Sequence, residues 1–255
     1  MKPLRWIALA AVLVTAASVR AHDFWIEPST FHPAAGETVA VGLRVGENFI
    51  GDPVPRALDF ERFVLLHDDS EDAISGATGS DPAGFLQAPH GASSMIVFRG
   101  SPAYVELPPP RFEIYLRRYG LDAILAERKR RGEEREPGRE YFSRCAKAIL
   151  TGNASSPLLT QPAGMRYEIV PDVDPTRGTA PFRGHVLFEG KPLAGALVVA
   201  AFRDTPVHLT MHTNAQGEFA FTSARKGVWL ITSVRMVRAP FWSKADWESL
   251  WASLT

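Results

Sequence analysis

The sequence predicts a mainly β protein, with two β-sandwich-like regions separated by a helical insertion. Short runs in which apolar and polar residues alternate predict strands, and frequent Gly and Pro residues punctuate these runs as turns. The composition, with 45% hydrophobic and 22% charged residues, is that of an ordinary globular chain. A length of 255 residues is enough to bury a core in one large or two modest domains.

Residues 1–21 are predicted to be a secretory signal peptide. Residues 1–5 are short and basic, residues 6–17 are mainly apolar, and Val19 and Ala21 stand where signal peptidase reads small side chains. The apolar run is shorter than the roughly 20 residues that a membrane-spanning helix needs. We expect cleavage after Ala21, with an earlier cut after the apolar run, behind Ala17, as the alternative.

Cleavage would change the charge balance of the chain. The full chain has 28 basic and 28 acidic residues, and loss of residues 1–21 removes three basic ones, leaving 234 residues with a net charge of −3. Neither balance suits a nucleic-acid binder, because neutralising phosphates needs a surplus of Lys and Arg. No later segment is long and apolar enough to span a membrane. The sequence therefore predicts a soluble periplasmic or secreted protein that binds no nucleic acid.

The first β region is predicted over residues 22–110. In the run 38–45, four aliphatic residues fall at alternate positions, which marks a half-buried strand. Residues 67–88 are polar and rich in Gly, Asp and Ser, and are predicted to form a loop. Further short strands are predicted over 24–26, 63–66, 95–98 and 104–107.

The helical insertion is predicted over residues 111–151. After three prolines at 108–110, apolar residues recur at three- and four-residue steps, with Gly120 as the stop between two helices. The run 128–136 carries charges of both signs, which is typical of a solvated helix face or linker. A partner-docking surface is the alternative interpretation of this run.

A third helix is predicted over residues 138–150. Apolar residues again recur at three- and four-residue steps, and Glu140 and Arg144 are spaced to pair one turn apart. Cys145 is the only cysteine, which excludes an intrachain disulfide and a multi-cysteine zinc site. Because it lies on the apolar stripe, we expect a buried structural cysteine and not a reactive thiolate.

The second β region is predicted over residues 163–255, as a sandwich with a C-terminal tail. After a strand at 165–170, five strands follow at about ten-residue spacing with Gly-containing turns, the pattern of a small sandwich. Trp247 and Trp251 have the spacing of one helix face. The tryptophans at 229, 242, 247 and 251 are predicted to be packing residues and not a sugar platform. The five strands are predicted over 182–188, 194–202, 207–213, 218–222 and 228–237.

Motifs spread along the whole mature chain resemble those of one known family. They are AHDFWIEP at 21–28, VGE at 45–47, GDPVPR at 51–56, YFSRCAKA at 141–148, GKPLAGA at 190–196, TNAQG at 213–217, GVWLI at 227–231 and DWESLWASLT at 246–255. Together they resemble the bacterial exported proteins grouped as domain of unknown function 4198. The resemblance implies a periplasmic protein with a C-terminal Ig-like or transthyretin-like sandwich.

The resemblance also suggests a connection with metal uptake. Some members of that family accompany nickel or cobalt uptake systems of the energy-coupling-factor type. The family's final strand often carries His-Met, whereas this chain has Arg235-Met236. A role of that histidine therefore cannot be carried over to this chain.

His22 is the candidate metal ligand, because cleavage after Ala21 makes it the first residue. Its α-amine and its Nδ1 can close one chelate ring on a metal such as Cu(II) or Ni(II). Reference pKa values near 8 for the amine and 6.5 for the imidazole make deprotonation inexpensive at neutral pH. At least one more ligand is needed. The alternative is that His22 simply begins the first strand.

The other histidines are weaker candidates. His208 and His212 lie four residues apart in a predicted strand, about 13 Å from each other, so they cannot share one ion unless the strand bends. Motifs of common hydrolases, metalloproteases and nucleotide-binding proteins do not occur. The remaining four histidines have no ligand spacing among them: His32, His67, His90 and His185.

The sequence thus predicts a non-catalytic periplasmic protein that binds nickel or cobalt, with copper as a further candidate, or assists the uptake of the metal. A membrane metal transporter or an outer-membrane receptor is the expected partner. One alternative is a structural or protein-interaction β module that binds no metal. The other is an oxidative copper enzyme built on the N-terminal histidine.

Overall fold

The computed structural model describes residues 22–68, 70–177, 181–205, 207–223 and 225–255. The predicted signal peptide lies outside these residues. The described strands are β1 Asp23–Pro28, β2 Thr38–Glu47, β3 Ile50–Pro53, β4 Phe60–His67, β5 Ser70–Ala73, β6 Gly84–Gln87, β7 Ser94–Gly100, β8 Ala103–Leu107, β9 Gly138–Leu150, β10 Tyr167–Pro171, β11 Phe182–Phe188, β12 Lys191–Pro192, β13 Leu197–Phe202, β14 His208–His212, β15 Glu218–Phe221, β16 Trp229–Arg238 and β17 Trp247–Leu254. The α-helices are α1 Pro109–Arg118 and α2 Asp122–Arg131.

A nine-stranded sheet forms the centre of the fold. Its strand order is β14-β13-β16-β17-β9-β7-β4-β5, and β8 also pairs with β9. The pairing of β17 with β9 is parallel, and its other strand pairs are antiparallel. Both predicted β regions contribute strands to this sheet. The predicted mainly β class is confirmed.

Two four-stranded sheets cover opposite faces of the central sheet. One contains β1, β2, β3 and β6, and the other contains β10, β11, β12 and β15. Strand β7 illustrates the layering, because Met95 and Val97 pack in one core while Ile96 and Phe98 pack in the other. Alternate residues of a strand point to opposite faces, so β7 is buried between two layers.

A helical hairpin covers the part of the central sheet that the β1–β2–β3–β6 sheet leaves open. Phe112 and Leu116 of α1 belong to the same hydrophobic cluster as Trp247 and Trp251 of β17. Helix α1 gives way to a turn at Gly120, as predicted, and α2 ends at Gly132, whose positive φ of 70° favours glycine. Neither described helix is long and apolar enough to cross a membrane.

The prediction of a third helix over residues 138–150 is wrong, because this segment is strand β9. Residues 145–150 are all buried, and the core clusters divide them between the two faces of the strand. A strand buried on both faces reads as a continuous apolar run, which periodicity cannot distinguish from a buried helix. Glu140 and Arg144 are an even number of residues apart, so they share one strand face.

Three further predictions need correction. Trp247 and Trp251 lie on strand β17 and not on a helix, and their shared burial under the helical hairpin follows from even spacing along a strand. Trp242 is not a packing residue, since it is 76% exposed. The predicted loop 67–88 contains the short strands β5 and β6.

A fully buried ion pair joins the central sheet to the β10–β11–β12–β15 sheet. Lys147 of β9 and Glu168 of β10 are 0% and 2% exposed, and Lys147 Nζ lies 3.2 Å from Glu168 Oε2. The same Oε2 accepts a hydrogen bond from the Ala163 backbone N–H at 2.9 Å. Burial lowers the pKa of Lys147, and the nearby carboxylate of Glu168 opposes this effect. Each buried charge is therefore stabilised mainly by the other.

We predict that Lys147→Met lowers the free energy of unfolding by about 3–5 kcal/mol, because it leaves a buried carboxylate without its cation. Urea unfolding measures the loss. Arg117→Met is the matched control, since its pair with Glu113 is 65% and 52% exposed, and a loss of at most about 1 kcal/mol is expected. Equal losses in the two variants would contradict this account of the pair.

Candidate functional site

His22 immediately precedes strand β1 and lies beside the end of strand β2. Strand β1 pairs with β2 so that Asp23 stands opposite Gly46, one residue before Glu47. His22 Nε2 lies 3.3 Å from Glu47 Oε1. The same oxygen accepts a hydrogen bond from Arg118 at the end of α1, at 2.6 Å. The imidazole is thus held where the β2–β3 hairpin meets the helical hairpin.

The β2–β3 turn fixes the position of Glu47. Asn48 and Phe49 both have positive φ, 57° and 63°, which defines a type I′ hairpin turn. Phe49 packs edge-on against Trp25 of β1, with ring centroids 5.5 Å apart. A Cβ at Gly51 would lie 2.5 Å from the Trp25 ring, so this position has room only for glycine.

Arg144 of β9 anchors the backbone of the first described residue. Its Nη1 donates a hydrogen bond to the His22 carbonyl oxygen at 2.7 Å. Burial lowers the pKa of Arg144. Three aromatic rings surround the guanidinium, with centroids 4.8–5.6 Å from its carbon: Phe24, Phe142 and Trp251. Such cation–π contacts stabilise a desolvated charge.

Asp23 contributes a second carboxylate next to His22. Its Oδ1 is buried and has no hydrogen-bond partner among the described residues. Burial raises the pKa of Asp23 to about 6, and the positive charges of Arg144 and Arg118 oppose this rise. We call the five residues His22, Asp23, Glu47, Arg118 and Arg144 the N-terminal cluster. Its two carboxylates, when ionised, balance its two guanidinium groups.

The N-terminal cluster fits a metal only in part. Within the described ranges, no three His, Cys, Asp or Glu side chains are placed to hold an ion together. His22 offers an imidazole, and Asp23 has a buried oxygen for which the described chain supplies no hydrogen bond. A complete ligand set would need a further donor, and the α-amine exposed by cleavage after Ala21 is of that kind.

Among the described residues, the other histidines form no comparable site. His208 and His212 are exposed on β14, as their alternation predicts. His67 contacts Asp72 at 2.7 Å on an exposed hairpin. His185 likewise contacts a single carboxylate, that of Asp172, at 2.8 Å.

The predicted burial of Cys145 is confirmed, although it lies on a strand. The residue is 1% exposed, and burial raises its pKa to about 11. A thiol with such a pKa is protonated at neutral pH and is a poor nucleophile or metal ligand. Cys145 is therefore a packing residue.

Glu140 is a buried acid under the helical hairpin that sequence reasoning did not single out as functional. Its Oε1 accepts hydrogen bonds from Ser249 Oγ at 2.9 Å and from Tyr115 OH at 3.5 Å. Its Oε2 is buried with no hydrogen-bond partner in the described ranges. Burial raises the pKa of Glu140 to about 7, against the effects of Ser249, Arg144 and Tyr115.

Sequence reasoning also missed most of the N-terminal cluster. Its members come from four separate segments, and no local pattern relates Glu47 or Arg118 to His22. One sequence feature could have pointed to buried charges: Arg144 and Lys147 each interrupt an apolar run. A charge in such a run is rarely buried without a partner.

We predict that Glu140→Gln flattens the pH dependence of stability between pH 4.5 and about 7. In this window the unfolded chain has lost the proton of Glu140, whose ordinary pKa is 4.5, while the folded protein keeps it. Wild-type stability therefore falls as pH rises, by up to about 3 kcal/mol for this group. Urea unfolding at pH 5, near the lower end of this window, and at pH 8, above its upper end, measures the change in stability.

The exposed Glu134→Gln is the matched control and should keep the wild-type pH dependence. Asp23 titrates with the same sign, so some slope remains in the Glu140 variant. An unchanged slope in that variant would mean that Glu140 is ionised in the folded protein at both pH values.

Comparison with known proteins agrees with the resemblance seen in the sequence. The family described as "Domain of unknown function (DUF4198)" matches residues 19–236. No curated protein and no solved structure matches the chain. Since the family match covers most of the sequence, the chain belongs to the DUF4198 family.

Proposed function

We propose that this protein is a non-catalytic, exported protein that binds a transition metal or assists its uptake. In this proposal the signal peptide is cleaved after Ala21, and the α-amine and Nδ1 of His22 form the first chelate ring. Nickel, cobalt and copper are the candidate metals. A membrane metal transporter or an outer-membrane receptor is the proposed partner.

One observation carries the proposal: the contacts that orient the His22 imidazole. Its Nε2 faces Glu47 Oε1 at 3.3 Å, and Arg118 binds the same carboxylate oxygen at 2.6 Å. Metal-binding histidines commonly donate their second ring N–H to a carboxylate, which sets the tautomer and orients the ring. A proton on Nε2 leaves the lone pair on Nδ1, the nitrogen that can chelate together with the α-amine.

Charge gives little attraction for a cation here, so the chelate must supply the affinity. With both acids ionised, Asp23 and Glu47 are balanced by Arg118 and Arg144, which lie close enough to affect the pKa of Asp23. Amine and imidazole nitrogens bind divalent metals in the order copper, nickel, cobalt. We therefore expect this order of affinity, with copper tightest, and selection of nickel or cobalt would depend on availability.

We predict that His22→Ala weakens binding of Cu(II) and Ni(II) at least about tenfold, because the variant loses one donor of the chelate ring. Isothermal titration calorimetry on the exported, processed protein measures this change. Intact-mass analysis must first show that His22 is the first residue. His212→Ala is the matched control, since it removes an exposed histidine of β14, and it should bind as wild type does.

A His22→Ala variant that binds as tightly as wild type would remove the proposed ligand. A processed protein that begins at any other residue would remove the α-amine from the site. Processed wild-type protein that binds none of the three metals would favour the alternative of a β module that acts without metal.

We predict that Glu47→Gln weakens metal binding about 10–100-fold while leaving the fold intact. The amide oxygen accepts a weaker hydrogen bond from the imidazole N–H than the carboxylate does, so the orientation and basicity of His22 change. Glu189→Gln is the control, because Glu189 pairs with an arginine at an unrelated exposed position. Equal affinities for both variants would show that Glu47 does not support a metal-bound His22.

A further inference from the structure

The β16–β17 connection, residues 239–246, displays two large aromatic side chains to solvent. Phe241 is 94% exposed and Trp242 is 76% exposed. Their rings pack edge-on against each other with centroids 4.8 Å apart. We call this pair the aromatic tip. Two adjacent aromatic side chains that are largely exposed form an apolar patch, and apolar patches on a protein surface commonly mark an interaction site.

Hydrogen bonds hold the base of the aromatic tip in one conformation. The Ala239 N–H donates to the Asp246 carbonyl at 2.9 Å, and the Ser243 N–H donates to the Pro240 carbonyl at 2.9 Å. The Lys244 ammonium lies 3.8 Å from the centre of the Tyr104 ring. These contacts preorganise the two rings in an outward position.

Basic residues surround the base of the aromatic tip. Arg238, the last residue before the connection, pairs at 2.7 Å with Glu133, which follows α2 in the sequence. Arg139 pairs with Asp246 at 2.8 Å. These contacts bring residues 127–139 next to residues 238–246, and we call the two segments together the basic end. It contains eight basic and five acidic residues, a net charge of +3 in a chain whose overall charge is zero. Its exposed basic residues include Lys129, Arg130, Arg131, Arg135 and Lys244.

We propose that the aromatic tip and the basic end dock onto a lipid surface that carries anionic headgroups. Tryptophan and phenylalanine partition into the interfacial layer of a membrane, and lysine and arginine are attracted to anionic headgroups. Insertion of apolar side chains and attraction of basic residues to anionic headgroups both add to the strength of surface binding.

The size of the patch favours a lipid surface over a protein partner. A standard protein interface buries about 800 Å² on each side, and charged residues are depleted in its apolar centre. Two aromatic side chains bury at most about 150–250 Å² each. Here charged residues lie directly next to them, at the base of the tip. A narrow aromatic tip on a cationic base matches the depth and charge of a headgroup layer.

The test is cosedimentation of the processed protein with vesicles of phosphatidylcholine, with and without phosphatidylglycerol. We expect binding only to the anionic vesicles, weakened by added salt because the headgroup attraction is screened. Phe241→Ser/Trp242→Ser should weaken binding at least about tenfold. Each neutralised basic residue, as in Lys129→Gln or Arg130→Gln, should weaken it about fivefold.

Leu58→Ser is the matched control, because Leu58 is an 86% exposed apolar residue outside the tip, and it should bind as wild type does. Brominated lipid should quench tryptophan fluorescence in wild type and much less in the tip variant. The tip residues are exposed, so the variant should keep the wild-type unfolding midpoint, which urea unfolding checks.

Absence of wild-type binding to anionic vesicles would overturn the proposal, as would equal binding to neutral ones. Equal binding by the tip variant and wild type would show that the aromatic tip does not insert. If wild type does not bind vesicles but crosslinks to a membrane protein, and the Phe241→Ser/Trp242→Ser variant loses this crosslink, the tip belongs to a protein interface instead. None of these outcomes depends on metal, so they are distinguishable from a failure of the proposed function.

Discussion

The architecture depends on strand β9, which has a protein layer against each of its faces. Its odd-numbered side chains, Cys145 and Ile149, pack toward the β10–β11–β12–β15 sheet, and the even-numbered Ala146, Ala148 and Leu150 pack toward the β1–β2–β3–β6 sheet. A single strand therefore belongs to two cores. Over residues 145–150 water does not reach either face, so a polar group there must be satisfied from the adjacent layer.

This constraint also organises the candidate site. Arg144 and Glu140 lie on the even-numbered face of β9, where the strand is covered by the helical hairpin and by the start of β1. Arg144 reaches the His22 carbonyl through a sleeve of aromatic rings, while Glu140 takes its hydrogen bonds from Ser249 and Tyr115. The N-terminal cluster is thus built on a core strand, although His22 itself lies at the start of the described chain.

The sequence predicts most strands, including the buried strands β7 and β10, but takes the buried strand β9 for a helix. Strands β2 and β14 retain a period of two, and their predicted ranges agree with the structure to within two residues. Strands β9 and β17 are buried on both faces, so their patterns carry no period that separates strand from helix. The N-terminal cluster was unpredictable for a different reason: Glu47 and Arg118 meet His22 only through tertiary packing.

The two proposed sites are connected through β17 and β9. In their parallel pairing Trp247 lies beside Glu140, and Trp251 lies beside Arg144. The connection that bears the aromatic tip leads into Trp247, the first residue of β17, whereas Trp251 contacts the guanidinium that anchors His22. Four residues of strand separate these tryptophans by about 13 Å. If the tip docks on a membrane and His22 binds a metal, the two sites are therefore joined by the same pair of core strands. Such an arrangement would suit delivery to a membrane transporter without a large movement of the protein, because the strands that join the two sites lie in the core.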